Sequence, residues 1–85
     1  MEMEILMDSG PKINIEVDLG IKGVQKTDIY VYLDGKLIGT HMDRSYDDIQ
    51  KVAADLKSNY PNALLEVTCE GEDFFGRIHR WNLDL

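Results

Sequence analysis

Hydrophobic and polar residues alternate cleanly from Lys12 to Leu19. Ile13, Ile15, Val17 and Leu19 fall on one side, and Lys12, Asn14, Glu16 and Asp18 on the other. Period two with β-branched residues on one side describes a strand with one face in a core and one in water. Met1–Met7 alternates less regularly and is read as a neighbouring strand, joined across the turn-rich Asp8-Ser9-Gly10-Pro11. Gly20 to Thr27 reads as a loop.

Ile29-Tyr30-Val31-Tyr32-Leu33 then leads into Asp34-Gly35 and on to Lys36-Leu37-Ile38-Gly39-Thr40. Asp-Gly between two β-prone runs favours a two-residue type I′ turn, because both central positions need positive φ. That turn sets an expected register: Leu33 opposite Lys36, Tyr32 opposite Leu37, Val31 opposite Ile38, Tyr30 opposite Gly39, Asp28 opposite His41. Facing residues share a side of the sheet. Ile29, Val31, Leu33 and Ile38 therefore fall on one side, with Tyr30, Tyr32 and Leu37 on the other.

Between Ser45 and Tyr60 the period changes to that of a helix. Ile49, Val52, Ala53, Leu56 and Tyr60 form one apolar stripe. Ser45 suits the N-cap, Asp47 and Asp48 suit the positive helix start, and Pro61 ends the run. Beyond it, Leu64–Glu70 and Phe74–Trp81 read as a second hairpin about Gly71-Glu72, where Gly at the first turn position suits type II′. This register places Cys69 opposite Phe74, Val67 opposite Gly76 and Leu65 opposite Ile78. On the other side it places Thr68 with Phe75, Glu66 with Arg77 and Leu64 with His79. A one-residue slip would mix the two sets.

These elements predict one α+β domain spanning residues 1–85. It is a sheet of about five strands, antiparallel or mixed, with a single helix on one face and the order ββββαββ or βββαββ. The helix stripe belongs on the side holding Ile13, Ile15, Val17, Val31, Ile38, Leu65, Val67 and Ile78. The other face then carries Tyr30, Tyr32, Leu37, Leu64, Phe75, Arg77, His79 and Trp81. An uncovered antiparallel face is ordinarily polar. Two readings follow. Either the N-terminal segment folds over these rings, or they form an interface, since Tyr, Trp, Phe and Arg are enriched at interface centres.

Composition narrows the function classes. Nine Lys and Arg stand against sixteen Asp and Glu, a net charge of −7 over 85 residues. Residues 1–20 carry −4, residues 21–60 are neutral and residues 61–85 carry −3. Such a chain repels phosphate backbones, which disfavours direct contact with nucleic acid and allows basic protein partners. Apolar residues make up 44%, enough for a core and too many for a disordered chain. One cysteine forms no internal disulfide, and with two histidines it falls short of a zinc site. The acidic start is unlike a secretory leader, and no run reaches the ~18 apolar residues of a membrane helix. Together with the lone thiol, this leads us to expect a cytoplasmic protein without membrane attachment.

Candidate chemistry is sparse. Cys69 shares a side with Leu65 and Val67 between Glu70 and Glu72, as a buried structural thiol does. His41 reads as a cross-strand partner of Asp28 rather than a ligand. His79, between Arg77 and Arg80, lacks an evident carboxylate orienter. Gly20-Ile-Lys-Gly23 has the spacing of a phosphate-clamping GxxG loop but joins strands rather than helices. Ser9, Ser45 and Ser58 have no adjacent histidine, and the acidic tip Glu70-Gly-Glu-Asp73 has too few ligands for calcium. The expectation is a non-enzymatic protein–protein interaction module without cofactor or metal. It self-associates as a homodimer or binds a protein partner through Tyr30, Tyr32, Leu37, Phe75, Arg77, His79 and Trp81. The alternative is a small acidic inhibitor or nucleic-acid mimic, of phage or mobile-element type, that occupies a basic protein groove.

Overall fold

The computed structural model describes residues 10–21 and 26–84. Among them, the elements run β1 Lys12–Ile21, β2 Thr27–Leu33, β3 Lys36–Arg44, α1 Asp48–Asn59, β4 Leu64–Glu72 and β5 Ile78–Asn82. The strands form one five-stranded sheet in the order β3-β2-β1-β4-β5. β1 pairs antiparallel with β2 and parallel with β4, while β2–β3 and β4–β5 are antiparallel hairpins. The fold is α+β with a mixed sheet, in the order βββαββ. The strand expected at Met1–Met7 lies outside the described residues.

The parallel pair follows from the helix. Adjacent parallel strands need a long crossover, and α1 lies on the path from β3 to β4. Its stripe meets the β1 side that alternation marked as apolar. Ile13, Ile15, Val17, Ile29, Val31, Ile49, Ala53, Val67 and Cys69 are buried, with Val52, Leu56 and Tyr60 packed against them. Each fully buried isoleucine contributes roughly 1.5–3 kcal/mol. Leu83, beyond the end of β5, packs against this core and donates its N–H to the Val67 carbonyl at 2.8 Å.

The helix begins later than the sequence suggests. Asp47 occupies the N-cap position without a side-chain bond. Ser45 instead donates its N–H (2.9 Å) and hydroxyl (3.2 Å) to the Asp48 carboxylate, while Asp48 N–H returns to the Ser45 carbonyl. The Ser45 amide holds the Asp48 carboxyl below the usual aspartate range. At the other end, Tyr60 N–H donates to the Leu56 carbonyl at 2.8 Å, directly before Pro61.

The first hairpin follows its expected register only near the turn. Asp34 and Gly35 have φ of 49° and 86°, as type I′ requires, and the Leu33–Lys36 and Tyr32–Leu37 rungs are in place. The ladder then slips, so that Val31 faces Gly39, Tyr30 faces Thr40 and Ile29 faces His41. Ile38 is the extra residue of this bulge and is 45% exposed rather than opposite Val31 in the core. The expected Asp28–His41 pair does not form. Asp28 is buried, accepting the Asp43 N–H at 2.9 Å and lying 3.2 Å from Lys26 Nζ. Asp43 makes that bond from a left-handed φ of 55°, near a second irregularity of the ladder.

The second hairpin departs further. Gly71 is not at a turn: it stands within β4, opposite His79. The chain reverses over Asp73-Phe74-Phe75-Gly76, where Gly76 has φ of 77° and donates its N–H to the Asp73 carbonyl at 3.1 Å. Cys69 therefore faces Trp81, not Phe74, and Thr68 faces Asn82, not Phe75. The displacement is an odd number of residues, so every β5 side chain changes face. Trp81 and His79 lie on the side of Cys69, whereas Ile78, expected in the core, lies on the face opposite the helix and is 63% exposed.

Candidate functional site

The β4–β5 tip concentrates the exposed rings. Phe74 and Phe75 are 71% and 85% exposed, at the end of a loop organised by one carboxylate. Asp73 Oδ1 accepts the N–H groups of Phe75 and Arg77, both at 2.9 Å. Asp73 N–H donates to the Arg77 carbonyl at 2.9 Å, closing the base of the loop. Its other oxygen, Oδ2, lies 2.9 Å from His79 Nε2, which serves as donor because an ionised carboxylate only accepts. His79 first, then the Arg77 amide, hold the Asp73 carboxyl below its ordinary range against the opposing effect of burial. Asp73 is thus the orienter that sequence reading did not find for His79. The Arg77 guanidinium stands 6.0 Å from the centre of the Phe75 ring.

Trp81 lies beside Gly71, on the sheet side that also carries Leu19, and is 40% exposed. With His79 it lines a shallow hollow of about 410 Å³ next to the tip.

The seven residues expected to form the interface are therefore divided. Phe75 and Arg77 stand in the tip loop, and His79 and Trp81 on the helix side of β5. Tyr30, Tyr32 and Leu37 remain on the sheet face opposite the helix, the two tyrosines half-buried and Leu37 49% exposed. Between them and β5 this face is polar apart from Leu64 at the start of β4, which is 64% exposed. Arg80 Nη1 donates to Glu70 at 2.7 Å and Nη2 to Glu16 at 3.3 Å, while Thr68 Oγ1 bonds Asn82 Oδ1 at 3.3 Å. Asp18 and Glu66 lie exposed on the same face. One continuous aromatic surface is replaced by a ring-bearing tip, a tyrosine pair and carboxylates in between.

A second apolar feature lies at the other side of the sheet. Val31, Ile38, Gly39, Val52 and Leu56 line a groove of about 720 Å³ between α1 and the β2–β3 hairpin, with Lys51 and Asp55 among its charged walls. The bulge at Ile38 helps to form it by leaving that side chain partly in solvent.

Cys69 is buried, and burial pushes its thiol up, away from the reactive thiolate. Among the described residues, no group of three His, Cys, Asp or Glu is placed to hold a metal ion, and no helix is long and apolar enough to cross a membrane. The fold and tip describe a small α+β domain with an exposed, hydrogen-bonded aromatic loop. Compared with known proteins, the chain matches no family model, no curated protein and no solved structure.

Proposed function

We propose that this chain is a non-enzymatic protein-binding module that associates with itself, in a cytoplasmic setting. The observation that carries the reading is the tip. Phe75, 85% exposed, stands on a loop whose backbone Asp73 holds by two hydrogen bonds. A loop whose backbone is already ordered loses less conformational freedom on docking, which favours an aromatic side chain at its tip as an anchor. Light scattering over a concentration series tests this. The expected result is a mass above that of the 9.7 kDa chain that grows with concentration. A lone chain at every concentration would overturn it.

The carboxylates support a second reading, an acidic binder of a basic protein groove. Asp18 and Glu66 are exposed on the open face beside Glu16 and Glu70, on a chain of charge −7. Like-charged faces repel, so this surface favours a basic partner over a second copy. Under this reading the same scattering run returns a lone chain, and capture by a basic partner weakens steeply with salt.

A further inference from the structure

The self-association proposed above leaves open what receives the tip. We infer that Phe75 of one copy seats in the groove between α1 and β3 of a second copy. This deepens the preceding reading and rests on it.

The two elements are matched in chemistry. The tip offers an aromatic ring 85% exposed, and the groove offers apolar walls from Val31, Val52 and Leu56. Gly39 supplies the space, because a Cβ built there would meet nothing within 4 Å. Charge agrees as well. Arg77 beside the ring carries the sign opposite to Asp55 at the groove, and Glu72 near the tip carries the sign opposite to Lys51. Such pairs fix register between copies and reject wrong partners.

The sheet order makes the contact intermolecular. β3 and β5 are opposite edges of five strands, about 19 Å apart at the usual strand spacing. The tip emerges from the β5 side and the groove opens at the β3 side. Each copy therefore carries one knob and one hole on opposite edges, and two different surfaces meet at every contact.

Variants that disable one half each provide the test. Phe75→Ser removes the knob at an exposed position. Gly39→Val fills the hole, and valine is well suited to a strand where φ is not left-handed. Each variant alone should associate about thirtyfold more weakly than the unaltered chain, the scale of a central aromatic anchor. Mixed together they should pair one to one, because one intact knob then meets one intact hole. Should Gly39→Val fail to fold, Asp55→Arg on the exposed helix surface replaces it: alone it should associate more weakly, and mixed with a chain that keeps Phe75 and carries Arg77→Glu it should recover pairing. If the unaltered chain associates and the variants associate equally well, or if the mixture fails to pair, the knob-and-hole contact is wrong while self-association stands. An unaltered chain that remains alone overturns both.

Discussion

Gly10 and Gly39 illustrate how differently two glycines can be constrained in one small domain. A Cβ at Gly10 would run into the backbone carbonyl of Asn62, next to the bond from Leu64 N–H to the Pro11 carbonyl that starts the β1–β4 pairing. That neighbour is backbone and cannot swing aside. Gly10→Ala should therefore cost about 1–3 kcal/mol, the usual range for overpacking, read as a lower urea midpoint with an unchanged slope. Gly39 has open space where its side chain would be, so the substitution there addresses association rather than folding. Asp28 shows a third kind of constraint. Expected in a cross-strand pair with His41, it is instead buried, where the Asp43 amide and Lys26 take up its charge. The Asp43 bond holds its carboxyl below the usual range even though burial pushes the other way.

At the scale of the elements, the tip depends on Asp73. Removing that carboxylate in Asp73→Ala leaves the amides of Phe75 and Arg77 without acceptors and His79 without its partner. Amide hydrogen exchange at Phe75 and Arg77 should then quicken while the protected core around Ile15 is unchanged. Unaltered exchange at both amides would show that the loop keeps its shape without Asp73. The same loop marks where sequence reading failed. Asp34-Gly35 was legible because both residues must take positive φ, and few pairs do so readily. Gly71-Glu72 looked similar, but Asp73-Phe74-Phe75-Gly76 competes with it: Asp at the first position and Gly at the fourth form a turn signature of their own. The separation of apolar from polar partners favoured the wrong choice, because β5 is exposed on both faces and its alternation carries little information. The slip at Ile38 was equally invisible, since a bulge in an edge strand is paid for by no core contact. The strand β1 and the helix stripe, by contrast, are anchored in the core, so their periods are legible in the sequence.

For the whole molecule, acid is the informative variable. Asp28, Asp48 and Asp73 all have carboxyls lowered in the folded state, chiefly by the Asp43 amide, the Ser45 amide and His79 respectively. Their unfolded values are about 3.9. A lowered folded pKa means that the folded state binds fewer protons, so these groups stabilise the fold fully above that value. The contribution fades as pH falls through the folded values. Tm should stay level from neutral pH down to about 5 and drop below about 4. A variant with all three changed to asparagine should start lower and lose less on acidification. A parallel loss in both proteins would place the acid sensitivity elsewhere.

The seam between β1 and β4 also sets the order of assembly. The Asp34-Gly35 ribbon can close from neighbouring residues on a microsecond scale, whereas Ile13 must find Leu65 across more than half the chain. Loop closure over that span comes late, after the local pieces exist. Until then the facing edges of β1 and β4 have bare amides and carbonyls, an invitation to clumping that makes dilute refolding the gentler route back from denaturant.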